Sequence, residues 1–246
     1  MEVHHHGHVH EKKKWKEYLF QFFMLFLAVF CGFLAEYQLE HKIEDDREKQ
    51  FISSLVYDLK DDQVTLDVQI NKHKLSVNLL DSMFWMISDP AHIRENGDAI
   101  YYIGRLAPRI STFAQNNKTF DQLRNSGGFR LIHRQETANR IMAYYNMLPL
   151  LRKLEDEFSL EFTEYKRLAA KIFDPVVFRQ QENEAGISRS TYNPALRTYD
   201  PEILKEFGIK IVYLNGTRRV LLPIEENLKA NGKELISYLE KEYDLD

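Results

Sequence analysis

The chain has 246 residues and carries 33 Lys and Arg against 37 Asp and Glu, a formal net charge of -4. This balance lacks the basic excess of a nucleic-acid-binding protein, and a hydrophobic content of 44% excludes wholesale disorder. The low counts of 10 Gly and 7 Pro favour long helices over a turn-rich β architecture. Cys31 is the one cysteine, so a disulfide within the chain is excluded.

Residues 1–17 form a tail rich in histidine and lysine. Imidazoles at this density are able to bind a divalent transition metal such as Zn²⁺, Ni²⁺ or Cu²⁺, or to respond to protons near a membrane surface. Because a short tail offers no preformed geometry, an incidental or topology-related role is the alternative. No other cofactor is predicted. The candidate metal ligands are His4, His5, His6, His8 and His10.

The segment 18–35 is predicted to be a transmembrane helix. Gln21 is its only clearly polar member, and as a helix it would be about 27 Å long, close to a bilayer core of about 30 Å. A cleaved signal peptide is not predicted, because Phe33 occupies a position where cleavage needs a small residue. The segment is apolar on all sides, whereas a buried core helix is usually apolar along one stripe.

Basic residues on either side of this segment set its expected orientation. Four lysines precede it, whereas three Lys or Arg residues lie between positions 36 and 49. The positive-inside rule therefore places the N-terminus in the cytoplasm and the main domain outside it. Ala28 and Gly32 lie four residues apart on one helix face, which allows close packing with a second membrane helix.

Residues 36–50 are predicted to form a charged helical stalk, and residues 51–246 a helical domain. No Gly or Pro occurs from position 33 to position 89, so the membrane helix is expected to continue as one long helix up to that point. Apolar residues at alternating steps of three and four form a stripe along it, and His73 fills one position of this stripe. The stripe consists of Ile52, Val56, Leu59, Leu66, Ile70, Val77, Leu80, Phe84 and Ile87.

The following residues are predicted to form shorter helices and one more long one. One short helix spans about 97–106, and Thr119 is expected to cap another that stops at Gly127. A longer helix is expected to begin near position 133 and to end near 173. Pro149 should kink this helix or split it in two.

The C-terminal part contains the main ambiguity. Residues 175–200 are predicted to be an irregular connection. Residues 211–222 resemble a β-hairpin with an Asn-Gly turn, yet their apolar positions also follow helical steps, and Asp200 with Pro201 suits a helix start. We prefer the helix. The overall prediction is an all-α protein, in which an N-terminal transmembrane helix continues into a long stalk helix and an antiparallel helical bundle stands outside the membrane.

A motif in the middle of the domain carries a family resemblance. It reads Thr119-Phe-Asp-Gln-Leu123-Arg-Asn-Ser126-Gly127 and is followed by a helix with Ala143-Tyr-Tyr-Asn. With the N-terminal 60 residues, this motif resembles an uncharacterised family of single-pass membrane proteins of Bacteroidota-type bacteria. The resemblance implies a bacterial inner-membrane protein with a helical domain, and implies no particular activity. The expected orientation then makes this domain periplasmic. If the motif has a structural role, its residues Thr119, Leu123, Ser126 and Gly127 are expected to anchor the central connection against the long helices.

Acidic clusters and one histidine are further candidates for chemistry. Paired carboxylates are able to transfer protons or bind cations, but here they mostly fall opposite the apolar stripe, so a solvated surface is expected. His73 lies on the stripe and is expected to be a packing histidine with a hydrogen-bond partner, with a ligand contact as the alternative. The acidic clusters are Glu44-Asp45-Asp46, Asp58, Asp61-Asp62 and Glu155-Asp156-Glu157.

These features favour a non-enzymatic, membrane-anchored helical protein that acts as an interaction, scaffold or sensor-like module. Its expected partners are membrane lipid and either a second copy of the chain or another membrane or periplasmic protein, and nucleic acid is not expected. One alternative is an enzyme with a site in segments 90–134 or 175–200, and another is metal handling by the histidine tail. The first suspects for an enzyme site are Arg109, Arg124, Ser126, His133 and Arg134.

Overall fold

A computed structural model describes residues 15–109, 111–184 and 186–245 of the chain. The chain divides after Gln50 into two compact units. The described residues are mostly helical, with two short strands. The helices are α1 (Trp15–Ile87), α2 (Gly97–Leu106), α3 (Lys118–Asn125), α4 (Gln135–Tyr145), α5 (Leu148–Ile172), α6 (Pro175–Gln180) and α7 (Pro201–Glu242), and the strands are β1 (Glu182–Asn183) and β2 (Gly186–Ile187).

The first unit contains the N-terminal portion of α1. Every residue from 18 to 35 is exposed. Among the described residues, α1 is the one helix that is long and apolar enough to cross a lipid bilayer. Exposed apolar side chains over a run of this length are unfavourable in water and are covered in a bilayer. The segment therefore meets the length and composition of a membrane span.

The second unit begins at Phe51 and buries the apolar stripe predicted on α1. Its core consists of two clusters, one containing Leu59 and Leu228 and the other containing Leu80 and Phe207. In both clusters, side chains of α1 and α7 pack together. The stripe prediction is confirmed, since its buried members are Ile52, Val56, Leu59, Leu66, Ile70, Val77, Leu80 and Ile87.

Ion pairs connect α1 and α7 outside this core. Residues of rising number in α1 pair with residues of falling number in α7. Each pair is at least partly exposed, so each contributes little to stability by itself. The pairs are Lys60–Glu240 (2.7 Å), Asp67–Lys229, Lys74–Glu226 (2.6 Å) and Asp81–Arg219.

Two predictions about the shorter helices are confirmed. Helix α2 has the predicted limits, 97–106. The predicted long helix near Pro149 is split into α4 and α5, with this proline in the first turn of α5. The first backbone N–H groups of a helix have no partner within it, so a proline in the first turn removes no helical hydrogen bond.

The predicted capping role of Thr119 is wrong. Helix α3 begins at Lys118, so Thr119 lies within its first turn, and Asn117 at the cap position makes no side-chain hydrogen bond to the helix. The backbone N–H of Thr119 instead donates to Asp58 Oδ2 on α1, at 2.9 Å. The other end of α3 agrees with the prediction, because Gly127 follows it with φ +69°, a conformation that glycine adopts without steric cost.

The segment 175–200 is more ordered than predicted. It contains α6 and the two-residue antiparallel ladder of β1 and β2. Asp174 caps α6 by accepting a hydrogen bond from the N–H of Val176 at 2.7 Å. Asp174 and Pro175 were predicted only to end the preceding helix, although an Asp-Pro pair also favours the start of a new one.

The ambiguous residues 211–222 are helical and lie inside α7. Asp200 caps this helix by accepting a hydrogen bond from the N–H of Glu202 at 2.8 Å. Asn215 of the Asn-Gly pair is buried and donates to Asp81 Oδ1 on α1 at 2.6 Å. Packing and hydrogen bonding to α1 therefore override the turn preference of this pair.

Candidate functional site

A buried histidine–glutamate pair joins α1 to α7. His73 Nδ1 lies 3.0 Å from Glu225 Oε2, and the two side chains are 3% and 0% exposed. The expected hydrogen-bond partner of His73 is therefore present. When Nδ1–H of a neutral ring donates this hydrogen bond to the carboxylate, Nε2 is the unprotonated nitrogen.

Arg218 is a buried cation on the same face of α7, two turns before Glu225, and is 1% exposed. Its guanidinium donates to the backbone carbonyls of Ala107 and, at 2.5 Å, Arg109, and it lies 4.4 Å from the centroid of the Phe158 ring. Its Nε is buried without a hydrogen-bond partner in the described part of the chain. Burial lowers the pKa of Arg218 to about 10, although the nearby charge of Glu225 opposes this decrease. The side chain is therefore charged at neutral pH.

Polar side chains of α1 hold the backbone of residues 107 and 111. Ser76 Oγ donates to the carbonyl of Ala107 at 2.5 Å. Gln69 makes two hydrogen bonds to Ser111: its Nε2 donates to the backbone carbonyl at 2.8 Å, and its Oε1 accepts from the hydroxyl at 2.7 Å. These side chains replace the backbone partners that a non-helical segment lacks, and so position this segment.

The expectation that the acidic clusters are solvated is wrong for Asp58, Asp62 and Glu155, which are buried. Each accepts a hydrogen bond from a backbone N–H of the residues before α3 or of its first turn. Asp62 Oδ1 accepts from Asn116 and Glu155 Oε1 from Phe113, both at 2.7 Å. Burial raises the pKa of Asp62 to about 7, against the lowering effect of its backbone hydrogen bond.

A cavity of about 350 Å³ is lined by residues of α1, α2, α7 and the segment after α2. We call it the Arg218 cavity. Its charged lining residues are Lys72, Arg109 and Arg218, accompanied by His73, and among the described residues no Asp or Glu lines it. The rest of the lining is Leu75, Ser76, Leu79, Leu106, Ala107 and Ser111. The cavity thus combines convergent polar groups with apolar walls, as ligand sites commonly do.

A larger cavity of about 480 Å³ lies near Ile87 and Gly208. Its cationic lining residues, Arg94 and Lys205, are exposed, and its remaining lining is largely apolar. Because perturbed, buried charges are typical of functional sites, the Arg218 cavity is the better candidate.

The structure does not bring together the residues first suspected of forming an enzyme site. Arg109 lines the Arg218 cavity. Arg124 forms an ion pair within α3, and Ser126 donates to a carbonyl of the same helix. His133 and Arg134 are exposed. In the described part of the chain, none of the principal cavities is lined by more than one of these residues.

The four motif residues have two kinds of surroundings. Thr119 and Leu123 are buried, and Leu123 belongs to the core cluster that contains Leu59. Ser126 and Gly127 are exposed and form the turn after α3. The first two residues therefore pack against the domain, whereas the other two shape the chain reversal.

The other predicted site residues belong to the N-terminal part. Ala28 and Gly32 are exposed on α1, and a Cβ atom added to Gly32 would meet no atom within 4 Å. This face of the helix is therefore open to a second helix. The predicted metal ligands lie outside the described residues; they are His4, His5, His6, His8 and His10.

Arg218 and Glu225 were not predicted as candidate site residues, and Asp62 was predicted to be solvated. A signal existed for the two residues of α7, because both are charged and both occupy positions of its apolar stripe. Asp62 has no such signal, since its burial depends on a hydrogen bond to the backbone of Asn116, 54 residues later.

Comparisons with known proteins leave the site to be interpreted from its own chemistry. No protein-family model matches the chain, and no curated protein or solved structure matches it.

Proposed function

We propose that the chain is a single-pass membrane protein with a non-enzymatic, sensor-like helical domain that receives a small ligand in the Arg218 cavity. One observation supports binding over catalysis. Ser76 and Ser111 are the hydroxyl-bearing residues of the described lining, and both donate to acceptors other than His73. Nucleophilic catalysis by serine needs a hydrogen bond to a general base, and these hydroxyls hold the cavity wall instead.

The proposed anchor is the segment 18–35, in a bacterial inner membrane, with the N-terminus in the cytoplasm and the domain in the periplasm. The full exposure of this apolar segment and the lysines before it support this topology. The proposed domain is an antiparallel bundle of the long helices. The ion pairs between α1 and α7 support it, since residue numbers rise along one helix as they fall along the other.

Cysteine labelling in intact cells tests the topology. In a Cys31→Ser background, Val3→Cys marks the tail and Lys171→Cys marks an exposed position of the domain. A membrane-impermeant maleimide should label the domain cysteine in intact cells and the tail cysteine only after lysis. Labelling of the tail alone would reverse the proposed orientation, and recovery of the unlabelled chain in the soluble fraction would remove the proposed anchor.

Crosslinking in native membranes followed by mass spectrometry tests the interaction role. We expect a second copy of the chain or one specific membrane or periplasmic protein to be captured. If the second copy docks through the face of Ala28 and Gly32, the variant Gly32→Leu should lose this product, because a bulky side chain prevents close helix approach. Phe30→Leu changes the opposite side of the same helix, because Phe30 is two residues from both Ala28 and Gly32, and it serves as the control. Absence of any specific product would contradict an interaction module.

A further inference from the structure

We propose that the Arg218 cavity binds a small organic anion, with its acidic group near the cationic side chains and a short apolar body against the leucines. This inference rests on the proposed ligand-binding role of the domain. It adds the chemical class of the ligand, which four observations support.

The first observation is the charge of the lining. Lys72, Arg109 and Arg218 line the cavity, and no carboxylate does so among the described residues. This composition departs from the chain as a whole, which has more acidic than basic residues. Within the described part of the chain, neither the Lys72 nor the Arg109 side chain forms an ion pair, so both cations are available to a ligand.

The second observation is an incompletely satisfied buried cation. The Arg218 guanidinium donates two hydrogen bonds to neutral backbone carbonyls and lies over the Phe158 ring, and its Nε has no described partner. A buried donor without an acceptor is unfavourable, and a charged guanidinium prefers an oxyanion to a neutral carbonyl. An acidic group in the cavity, which Arg218 lines, would compensate this buried positive charge electrostatically.

The third observation is that the nearest buried acid does not neutralise this site. Glu225 uses Oε2 for the His73 pair, and it does not line the cavity. One carboxylate against Lys72, Arg109 and Arg218 leaves an excess of positive charge even when His73 is neutral. The local field therefore attracts anions and disfavours cations.

The fourth observation is the size and polarity of the walls. Leu75, Leu79 and Leu106 contribute apolar surface to the lining. At a share of ~30 Å³ per water molecule, a cavity of about 350 Å³ corresponds to roughly a dozen waters. A bare inorganic ion would leave the leucines in contact with water, whereas an organic acid of similar size to this space would cover them.

Calorimetry on the full-length protein in detergent tests this inference with three probes. Benzoate carries the proposed combination of charge and apolar body, benzamide has nearly the same shape without the charge, and inorganic phosphate has the charge without the apolar body. We expect saturable 1:1 binding of benzoate, at least tenfold weaker binding of benzamide, and weaker binding of phosphate than of benzoate.

Variants of exposed lining residues locate the binding. Arg109→Gln and Lys72→Gln should each weaken benzoate binding about tenfold, since each removes one charge-assisted contact. Lys74→Gln is the matched control, because Lys74 pairs with Glu226 and does not line the cavity. These exposed positions should leave thermal unfolding unchanged, which separates lost binding from lost folding.

The possible results distinguish this inference from the proposed function. Equal binding of benzoate and benzamide would overturn the anion assignment and leave a ligand-binding domain. Phosphate binding as tight as benzoate binding would overturn the apolar half of the assignment. Absence of saturable binding by all three probes, or equal loss in Lys74→Gln and Arg109→Gln, would overturn the inference. The topology and crosslinking experiments decide the membrane and interaction roles independently of these outcomes.

Discussion

Asp58 Oδ2 accepts a hydrogen bond from the backbone N–H of Thr119 at 2.9 Å, although 61 residues separate them. The first turn of α3 is thereby satisfied by a carboxylate of α1. A carboxylate near a helix N-terminus also interacts favourably with the helix dipole. The position of α3 on the domain therefore depends on a buried acid that belongs to another helix.

Replacement of this acid should destabilise the domain. We expect Asp58→Ala to lower the free energy of unfolding by about 1–3 kcal/mol, because the N–H of Thr119 is left buried without an acceptor. Urea unfolding followed by circular dichroism measures the change. Asp61→Ala, at an exposed position of the same helix, should stay within about 0.5 kcal/mol of the wild type. Equal effects of the two variants would show that Thr119 gains nothing from Asp58.

The raised pKa of Asp62, about 7, predicts a pH-dependent stability. The folded domain holds the Asp62 proton more tightly than the unfolded chain does, so this residue favours folding at acidic pH. That contribution is lost as pH rises through about 7. Burial is the main cause of the raised pKa, and Asp61 and Asp58 add to it, whereas the N–H of Asn116 and the charge of Arg152 oppose it.

The variant Asp62→Asn should remove this dependence, because asparagine keeps an acceptor for the N–H of Asn116 and has no proton to lose. Its stability relative to the wild type should therefore rise between pH 5 and pH 8. Urea unfolding at several pH values measures the difference in unfolding free energy between the variant and the wild type. Titratable groups that both proteins share contribute equally to the two values, so their contributions cancel in this difference. A difference that stays constant over this range would mean that Asp62 titrates normally.

The buried pair of His73 and Glu225 should be strongly coupled. Glu225→Ala leaves His73 without its partner and removes the nearest negative charge from Arg218, so we expect a loss of about 3–5 kcal/mol. A double-mutant cycle with His73→Ala isolates the coupling between the two side chains. Additive losses in the double variant would contradict the pair seen at 3.0 Å.

Two glycine-to-alanine substitutions should change the stability of the domain in opposite directions. A Cβ atom added to Gly104 would lie 2.5 Å from Phe173 Cζ, and this ring is buried, so Gly104→Ala should destabilise the domain by about 1–3 kcal/mol. A Cβ atom added to Gly216 within α7 meets nothing within 4 Å, so Gly216→Ala should stabilise the helix by up to about 1 kcal/mol. Thermal unfolding of both variants checks the two signs.

The sequence predicted those parts of the fold that depend on local patterns. The apolar stripe of α1, the limits of α2, the break at Pro149 and the cap at Asp200 all follow from spacing or from the chemistry of one residue type. The preferred helix over 211–222 was also predicted, although an Asn-Gly pair inside it favours a turn.

The sequence did not predict what depends on contacts between distant segments. Asp58, Asp62 and Glu155 look like surface acids, because acidic residues are normally solvated. Their burial follows from backbone N–H groups that come near them only in the folded domain. For the same reason the Arg218 cavity was missed, although a charged residue on an apolar stripe was a visible signal.

The ion pairs between α1 and α7 have a consequence for how these helices align. On α1 the charges alternate in sign every seven residues, as Lys60, Asp67, Lys74 and Asp81, and their partners on α7 alternate in the opposite sense. Sliding α7 by one heptad would leave the apolar stripes in contact, but it would bring Asp67 opposite Glu226 or Glu240 and Lys74 opposite Arg219 or Lys233, depending on the direction. Like charges would then face each other at these two positions, so charges that add little stability in the native register disfavour the shifted alignments of the two helices.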